Sequence, residues 1–174
     1  MSEGLFPFGF HLERLTRAHP RKGFSSGQPQ VDDWFATKAL QNQEKNLSVT
    51  KVLLDETEVI AGYYTLATGQ VDFGDLPTEV AKKLPRRILP VAVLAWLGVS
   101  AHRHDLGLGR ALLARSLRDC YEAGQTFAFV AVVIDCIDGD AKAFYQHFDF
   151  AELPGHSYRL FLSAQQLEAM MAQS

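Results

Sequence analysis

Two glycines, Gly107 and Gly109, end a short polar stretch in the middle of the chain. The sequence from Val99 to Leu113 reads Val-Ser-Ala-His-Arg-His-Asp-Leu-Gly-Leu-Gly-Arg-Ala-Leu-Leu and follows an apolar run that begins at Leu89. This order predicts a buried strand, a short loop and a helix that begins near Gly109. The first N–H groups of a helix have no acceptor within it and lie at the positive end of its dipole. Because such a terminus binds phosphate oxygens, the stretch predicts a site for a cofactor that carries a diphosphate.

The residue types around this turn suit that chemistry. Since Gly107 and Gly109 lack a Cβ atom, backbone amides can approach phosphate oxygens closely. Arg103 and Arg110 flank the turn, and a guanidinium forms charge-assisted hydrogen bonds with phosphate. The alternative is an ordinary strand-to-helix turn, because a Gly-x-Gly step is also common where no nucleotide binds.

Composition limits the classes of protein to which the chain can belong. Its 174 residues are 47% hydrophobic and carry a formal net charge of −3, which predicts one globular domain over residues 1–174. That charge excludes a generally basic nucleic-acid binder but leaves room for a local basic patch. No apolar run is long enough to span a bilayer, and the start, Met-Ser-Glu-Gly, lacks the layout of a signal peptide. We therefore expect a cytoplasmic protein.

Neither the cysteines nor the histidines have the spacing of a metal site. Cys120 falls in a predicted apolar helix and Cys136 in a predicted apolar strand, so we expect two buried free thiols in a reducing compartment. The histidines show no convergent ligand spacing, and we predict no metal.

Hydrophobic periodicity predicts strands and helices that alternate along the chain. Strands are expected over residues 8–15, 48–55, 58–68, 89–99, 127–135 and 159–162. Helices are expected from Asp32 or Asp33 to about Asn46, over 77–84, over 109–123, from an Asp138 N-cap to Phe148, and after a Ser163-x-x-Gln166 capping box. Because the strand over 89–99 lacks alternation, we expect it to be buried on both faces. The whole order indicates a mixed α/β domain.

The second half of this pattern resembles a known superfamily. A strand, an x-x-Gly-x-Gly turn, a helix, a second strand and a helix with Ala-x-x-Phe-Tyr, from Ala141 to Tyr145, are similar to the GNAT acyl-CoA N-acyltransferases. The resemblance covers roughly Val49 to Leu162. It implies the GNAT acyltransferase fold, a mixed, largely antiparallel sheet flanked by helices with a splayed central strand pair. It also implies acetyl-CoA as the co-substrate.

Further segments resemble one branch of that superfamily, the GNAT toxins of bacterial toxin–antitoxin pairs. They are Phe24-Ser-Ser-Gly27, Asp32-Asp-Trp34, Gly62-Tyr-Tyr-Thr-Leu-Ala67, Leu84-Pro-Arg-Arg87 and Arg159-Leu-Phe-Leu162. The resemblance implies transfer of acetyl to the free amino group of a charged tRNA, which blocks translation. It also implies a ribbon-helix-helix type antitoxin, encoded nearby, that keeps the enzyme silent. Whether the protein forms a homodimer is left open.

The resemblance also assigns residues to acetyl-CoA. The set expected at the diphosphate is His104, Asp105, Leu106, Gly107, Leu108, Gly109 and Arg110. The set expected to pair through its backbone with the pantetheine arm is Leu97, Gly98 and Val99. A fully paired central strand is the alternative for the second set.

Four positions depart from the family pattern. His104 stands where Gln or Arg is usual, and Asp105 and Trp96 stand where the toxin branch has Gly and Arg. An aspartate beside a diphosphate is repulsive by on the order of 1 kcal/mol, so Asp105 either points to solvent or weakens CoA binding. Asp149 replaces a Gly just after a helix, where a left-handed residue is expected, and we predict a small stability penalty.

Tyr145 is the candidate catalytic residue. In the family, the tyrosine at this position protonates the thiolate that leaves when an amine attacks the thioester. A phenol has an ordinary pKa of about 10, so it is protonated at neutral pH and can act as a general acid. We expect Phe144 and Phe148 to form a core stripe that leaves Tyr145 turned about 100° away. The alternative is a tyrosine that merely packs in the core.

Two basic clusters are candidates for contact with nucleic acid. One is Lys82, Lys83, Arg86 and Arg87, and the other is Arg14, Arg17, Arg21 and Lys22. The toxin resemblance makes the first a candidate site for tRNA, whose phosphates attract cations. The alternative for both is an ordinary solvated face.

Two other functions stay open at this point. One is a GNAT N-acetyltransferase that acts on a small-molecule or protein amine and has no toxin role. The other is a protein that binds acyl-CoA without catalysis, with Asp105 and Trp96 as marks of lost activity. The retention of Tyr145 favours an enzyme.

Overall fold

The computed structural model describes residues 6–173. Its strands are β1 (His11–Arg14), β2 (Val49–Leu54), β3 (Ile60–Asp72), β4 (Ile88–Val99), β5 (Ala131–Asp135), β6 (Ala151–Leu153) and β7 (His156–Ser163). Its helices are α1 (Pro29–Thr37), α2 (Ala39–Glu44), α3 (Thr78–Ala81), α4 (Leu108–Gly124), α5 (Gly139–His147) and α6 (Ala164–Ala172). None of the helices in this range combines the length and apolar character that a bilayer span requires.

The strands are hydrogen-bonded in the order β1-β2-β3-β4-β5-β7-β6. The pairs β1/β2, β2/β3, β5/β7 and β6/β7 are antiparallel, whereas β4 and β5 are parallel. The parallel register joins Ala92 to Val132 and Val93 to Val133, in a strand that continues to Val99. The predicted fold class, a mixed and largely antiparallel sheet flanked by helices, is therefore confirmed.

The chain divides into two compact units, and β3, β4 and α4 each contribute to both. One unit contains the described residues up to Ala67 together with Leu94–Leu117. Its core packs α1 and α2 onto β1 to β3 and consists of Leu15, Phe24, Val31, Phe35, Ala39, Val52, Leu54, Ile60 and Tyr63. The rings of Phe35 and Tyr63 stack at its centre with 4.2 Å between centroids.

The second unit contains Thr68–Val93 and the described residues from Arg118 onward. Its core consists of Val71, Leu76, Ala81, Leu89, Val91, Ala131, Val133, Leu153 and Phe161. The strand β5 pairs along its whole length with β7, from Ala131 opposite Ser163 to Asp135 opposite Arg159. The single-domain interpretation of residues 1–174 stays a prediction.

The first helix, α1, does not begin where the sequence predicts. It starts at Pro29, three residues before Asp32, because proline is well suited to the first helical position. The carboxylate of Asp32 caps no helix and instead accepts the N–H and hydroxyl of Ser26 at 2.9 and 2.7 Å. Lys38, with φ −121°, separates α1 from α2 within the predicted helix.

Three other expectations need correction. The sequence does not predict β6, whose three residues carry no periodicity. The strand β4 is not buried on both faces, since Ile88 and Pro90 are exposed. Of the two thiols expected to be buried, Cys120 is buried in α4, but Cys136 lies just after β5 and is half-buried.

Candidate active site

The polar stretch after β4 is a short 3₁₀ helix over Ala101–Leu106 rather than an irregular loop. Gly107 ends it with φ +68°, in the left-handed region that glycine adopts without steric cost. No described atom lies within 4 Å of the place that a Cβ would occupy at Gly107. Because α4 begins at the next residue, Leu108, the first N–H groups of α4 follow an open, exposed turn.

The residues predicted to hold the diphosphate are mostly exposed. His104, Asp105, Leu106, Gly107 and Arg110 face solvent, whereas Leu108 is buried and Gly109 is half-buried. Asp105 is as exposed as its neighbours in the turn, so its orientation relative to a bound diphosphate stays a prediction. The described residues thus leave the turn available to a ligand.

His104 forms a hydrogen bond with the end of β4. Its Nε2 lies 3.0 Å from the carbonyl oxygen of Val99, so Nε2 carries the proton and donates to that oxygen. The residue that replaces the family's Gln or Arg thus satisfies the last carbonyl of β4. This contact ties two of the predicted cofactor residues to each other.

Arg103 does not point freely toward the predicted diphosphate position. Its Nη2 donates to Oδ2 of Asp55, in the turn between β2 and β3, at 2.9 Å. Sequence reasoning assigned Arg103 to phosphate because it flanks the glycines. It missed Asp55, which lies 48 residues away in the chain and has no local signal. Of the two flanking guanidiniums, Arg110 is the exposed one.

The end of β4 carries the three residues predicted to bind the pantetheine arm. Leu97 and Val99 are half-buried, and Gly98 is buried. A Cβ at Gly98 would lie 2.8 Å from Cγ1 of Val31 and 3.1 Å from Cε1 of Tyr63. Gly98 is therefore required for α1 to pack on this strand, a role that sequence reasoning did not assign. Pairing of this backbone with pantetheine stays a prediction.

Two segments that resemble the toxin branch pack around the same strand end. The carbonyl of Ser25 accepts the N–H of Ala101 at 2.9 Å, which ties the Phe24–Gly27 segment to the 3₁₀ turn. Trp34 of α1 stacks on Trp96 of β4 with 5.1 Å between ring centroids. The structure thus gives these N-terminal segments a position beside the predicted cofactor turn.

Tyr145 lies on α5 and, like its aromatic neighbour Phe150, is buried. Its residue surface is 7% exposed, whereas Phe144 and Phe148 are half-buried, so the prediction that those two form the buried stripe is wrong. Helical spacing fixes the angle between side chains but not which side meets the core. Burial raises the pKa of Tyr145, and Cys136 adds to the increase. The side chain is therefore a neutral phenol at pH 7.

The tyrosine hydroxyl keeps its hydrogen-bonding capacity. Within residues 6–173 no protein atom forms a hydrogen bond with it. Burial also raises the pKa of Cys136 to about 11, so this neighbour is a neutral thiol and no competing nucleophile. A phenol in this state can donate its proton to a ligand atom.

The basic cluster around α3 is exposed along its length. It consists of Lys82, Lys83, Arg86 and Arg87. Lys82 lies 3.6 Å from Glu79, and the Arg86 guanidinium lies over the ring of Phe73, 5.5 Å from its centroid. These contacts leave the cations in solvent, where they can meet a polyanion.

Within the part of the chain that the structure describes, His11, Glu13 and Glu58 form one group with the spacing of metal ligands. No local motif indicates this group, because its members meet only through the pairing of β1 with β2 and the turn that follows. His11 Nε2 lies 2.8 Å from Glu13 Oε2, the geometry of an imidazole–carboxylate hydrogen bond. That bond accounts for the proximity of His11 to Glu13; His11 is half-buried, and Glu13 and Glu58 are exposed.

Comparison with known proteins decides the family. No family model matches the chain. A curated relative, the tRNA-acetylating toxin of Mycobacterium tuberculosis, is 32% identical over 158 residues, which are 91% of this chain and 94% of the relative. This chain belongs to the tRNA-acetylating toxin family. The family of GNAT toxins expected from the sequence and its enzyme class, an acetyl-CoA-dependent N-acetyltransferase, are confirmed.

Two solved structures of the toxin AtaT share the fold. AtaT complexed with acetyl-methionyl-tRNAfMet has a TM-score of 0.86 and 20% identity, covering 93% of this chain and 99% of that chain. A mutant AtaT bound to the C-terminus of the antitoxin AtaR and to acetyl-CoA has a TM-score of 0.80 and 18% identity, covering 95% and 99%. At these identities the structures establish the architecture.

Proposed function

We propose that this protein transfers acetyl from acetyl-CoA to the primary amine of a charged tRNA and so blocks translation as a toxin. The observation that carries the proposal is the 32% identity to a tRNA-acetylating toxin over nearly the full length of both chains. The open glycine turn before α4 and the neutral phenol of Tyr145 are the parts that such chemistry needs.

The turn is the proposed diphosphate site. The N–H groups that open α4 and the exposed backbone at Gly107 offer donors to phosphate oxygens. Arg110 is exposed and is the proposed source of a charge-assisted bond. The backbone of Leu97, Gly98 and Val99 is the proposed partner of the pantetheine arm.

Tyr145 is the proposed general acid. The thioester supplies an electrophilic carbonyl; the amine nitrogen forms the new amide bond to its carbon, and the carbon–sulfur bond breaks with its electron pair on sulfur. A hydroxyl that forms no hydrogen bond with the described residues can give the sulfur a proton. Because its raised pKa keeps the phenol neutral, the proton is present at every physiological pH. The amine loses its own proton to water before it attacks.

The exposed cations around α3 are the proposed contact for the acceptor RNA. Lys82, Lys83, Arg86 and Arg87 form a local basic patch on a chain with a net charge of −3. Such a patch attracts the phosphates of a single-stranded end and makes binding sensitive to salt. Loss of the patch should raise KM for charged tRNA without a change in the affinity for acetyl-CoA.

An antitoxin is the proposed protein partner, since an AtaT structure of the same fold binds the C-terminus of the antitoxin AtaR. We propose a ribbon-helix-helix type protein encoded beside this gene. A charged tRNA as substrate places the activity in the cytoplasm. Co-expression of the neighbouring reading frame should relieve growth arrest caused by the toxin.

The deciding experiment is incubation of the purified protein with labelled acetyl-CoA and total charged tRNA. Label should appear on aminoacyl-tRNA and be released with the acetylated amino acid on mild base treatment. Deacylated tRNA and free amino acids serve as controls and should stay unlabelled. Label found only on small amines or on protein lysines would favour the alternative N-acetyltransferase. No label on any acceptor, with acetyl-CoA bound, would favour a binding protein.

A further inference from the structure

We infer that Asp55 and Arg103 form a positioning pair that holds the diphosphate-binding turn in its binding conformation before the cofactor arrives. The inference rests on the proposed function, because it concerns the turn that binds acetyl-CoA. It assigns Arg103 a role different from direct contact with phosphate. It also gives the acidic turn between β2 and β3 a part in cofactor binding.

Asp55 is a fixed anchor. It is 3% exposed, and its Oδ1 accepts the N–H and hydroxyl of Thr57 at 2.8 and 2.7 Å and the N–H of Val59 at 3.0 Å. Its own N–H donates to the carbonyl of Val59 at 2.8 Å. With one carboxylate oxygen committed to the turn, the other faces Arg103.

Arg103 is held on several sides at the point where the 3₁₀ helix is distorted. Its φ of −128° departs from helical values, and it lies four residues before Gly107. Besides the 2.9 Å bond to Asp55, its Nη2 is 3.5 Å from Oε1 of Glu56. Its guanidinium also lies over the ring of Phe10, 5.6 Å from the centroid. These contacts tie Arg103, and with it the turn, to the hairpin of β2 and β3 and to Phe10.

The energetic effect follows from preorganisation. A turn that is already ordered loses less conformational entropy when the diphosphate binds, so its affinity is higher. Arg103 also neutralises the buried carboxylate of Asp55, which would otherwise add to the negative charge near the site. The pair thus contributes to CoA binding although its two charged groups bond to each other and not to the cofactor.

Substitution of Asp55 separates positioning from direct contact. Asp55→Asn keeps an acceptor for the Thr57 and Val59 N–H groups but places an NH₂ donor opposite Arg103. If the pair positions the turn, acetyl-CoA binding measured by calorimetry should weaken about tenfold. If Arg103 instead contacts phosphate, the same change frees its guanidinium and removes a negative charge, so binding should tighten. Asp33→Asn, the same change at an exposed residue, is the matched control.

A double-mutant cycle supplies the second measurement. Arg103→Met should weaken acetyl-CoA binding about as much as Asp55→Asn, and the double variant should bind no more weakly than Arg103→Met alone, because both act through one contact. KM for acetyl-CoA should rise while kcat at saturation changes less than about twofold. Arg17→Met, which removes an exposed ion pair with Glu44, is the control for loss of an arginine.

A third readout needs no ligand. Amide hydrogen exchange over residues 101–108 of the ligand-free protein should be faster in Arg103→Met than in wild type, whereas a residue that only contacts phosphate would leave it unchanged. This measurement also decides the matter if Asp55→Asn does not fold. Unchanged exchange, additive losses in the cycle or tighter binding by Asp55→Asn overturns the inference. Absence of acetyl-CoA binding by the wild type instead overturns the proposed function.

Discussion

Trp34 of α1 stacks on Trp96 of β4, with ring centroids 5.1 Å apart and planes inclined by 18°. One helical turn earlier, the carbonyl of Val31 accepts the hydroxyl of Tyr63 in a buried 2.8 Å hydrogen bond. Gly98 lets Val31 approach the strand closely. The indole stack and the close approach at Gly98 fix α1 on β4, which leads into the proposed cofactor turn, and the Tyr63 hydrogen bond fixes it on β3. The packing brings these N-terminal segments next to that turn.

Loss of the indole pair should destabilise the fold. We expect Trp96→Ala to lower the free energy of unfolding by about 2 kcal/mol, since it removes a large, half-buried aromatic ring. Trp34→Ala should have a similar effect. In the double variant the losses should fall short of additivity by about 0.5–1.5 kcal/mol, the coupling of an aromatic pair. Urea denaturation of the four proteins measures this, and strictly additive losses would show that the stacking contributes nothing.

A methyl group at Gly98 should force α1 away from β4. Because its Cβ would lie 2.8 Å from Val31 and 3.1 Å from Tyr63, Gly98→Ala should cost about 1–3 kcal/mol of stability. Gly23→Ala, where no described atom lies within 4 Å of the added Cβ, is the control and should change stability little. Thermal unfolding followed by circular dichroism compares the two. Equal melting temperatures for the two variants would contradict the packing described.

Local signals in the sequence predicted much of the fold. Asp138 caps α5 by accepting the N–H of Ala141 at 2.8 Å, and Ser163 with Gln166 forms the predicted capping box of α6. These caps depend on residues three apart, so sequence alone reveals them. The three-residue strand β6 depends on its pairing with β7, which has no local signal.

The candidate site was less predictable because several of its contacts join residues that are distant in the chain. The glycine turn and Tyr145 carry local motifs, but the partner of Arg103 is a side chain 48 residues away. The burial of Tyr145 depends on which side of α5 packs into the core, and helical spacing does not determine that. Asp149, by contrast, could be predicted, because the end of a helix depends on neighbouring residues. Its predicted left-handed backbone is confirmed by a φ of +71°.

Tyr145→Phe should separate catalysis from binding. Removing the hydroxyl takes away the proton donor, so we expect kcat to fall at least about tenfold while acetyl-CoA affinity stays nearly unchanged. Stability should also be little changed, since no described atom hydrogen-bonds to that hydroxyl. Single-turnover kinetics and calorimetry are the measurements. Turnover equal to that of wild type would remove the general-acid role.

Asp149→Gly should stabilise the protein. Asp149 adopts φ +71° just after α5, a conformation that glycine reaches without the steric cost of a Cβ. We expect a gain of about 0.5–1 kcal/mol in the free energy of unfolding. Gly155→Ala, at a residue with φ +79°, should show the opposite sign. A lower melting temperature for Asp149→Gly would mean that its side chain contributes more than its backbone strain costs.

The stability contributed by Asp55 should depend on pH. Burial acts to raise the pKa of its carboxyl, but hydrogen bonds from Thr57, Val59 and Arg103 outweigh burial and hold the pKa below the ordinary value of 3.8. The folded state therefore favours the carboxylate, and its contribution is fully present above the unfolded pKa and is lost as the pH falls through the folded pKa. At pH 7 we expect Asp55→Asn to cost about 1–3 kcal/mol. Urea denaturation should show this difference shrinking below about pH 4. A difference that stays constant from pH 7 to pH 3, or one that Asp33→Asn reproduces, would contradict an ionised Asp55 in the folded protein.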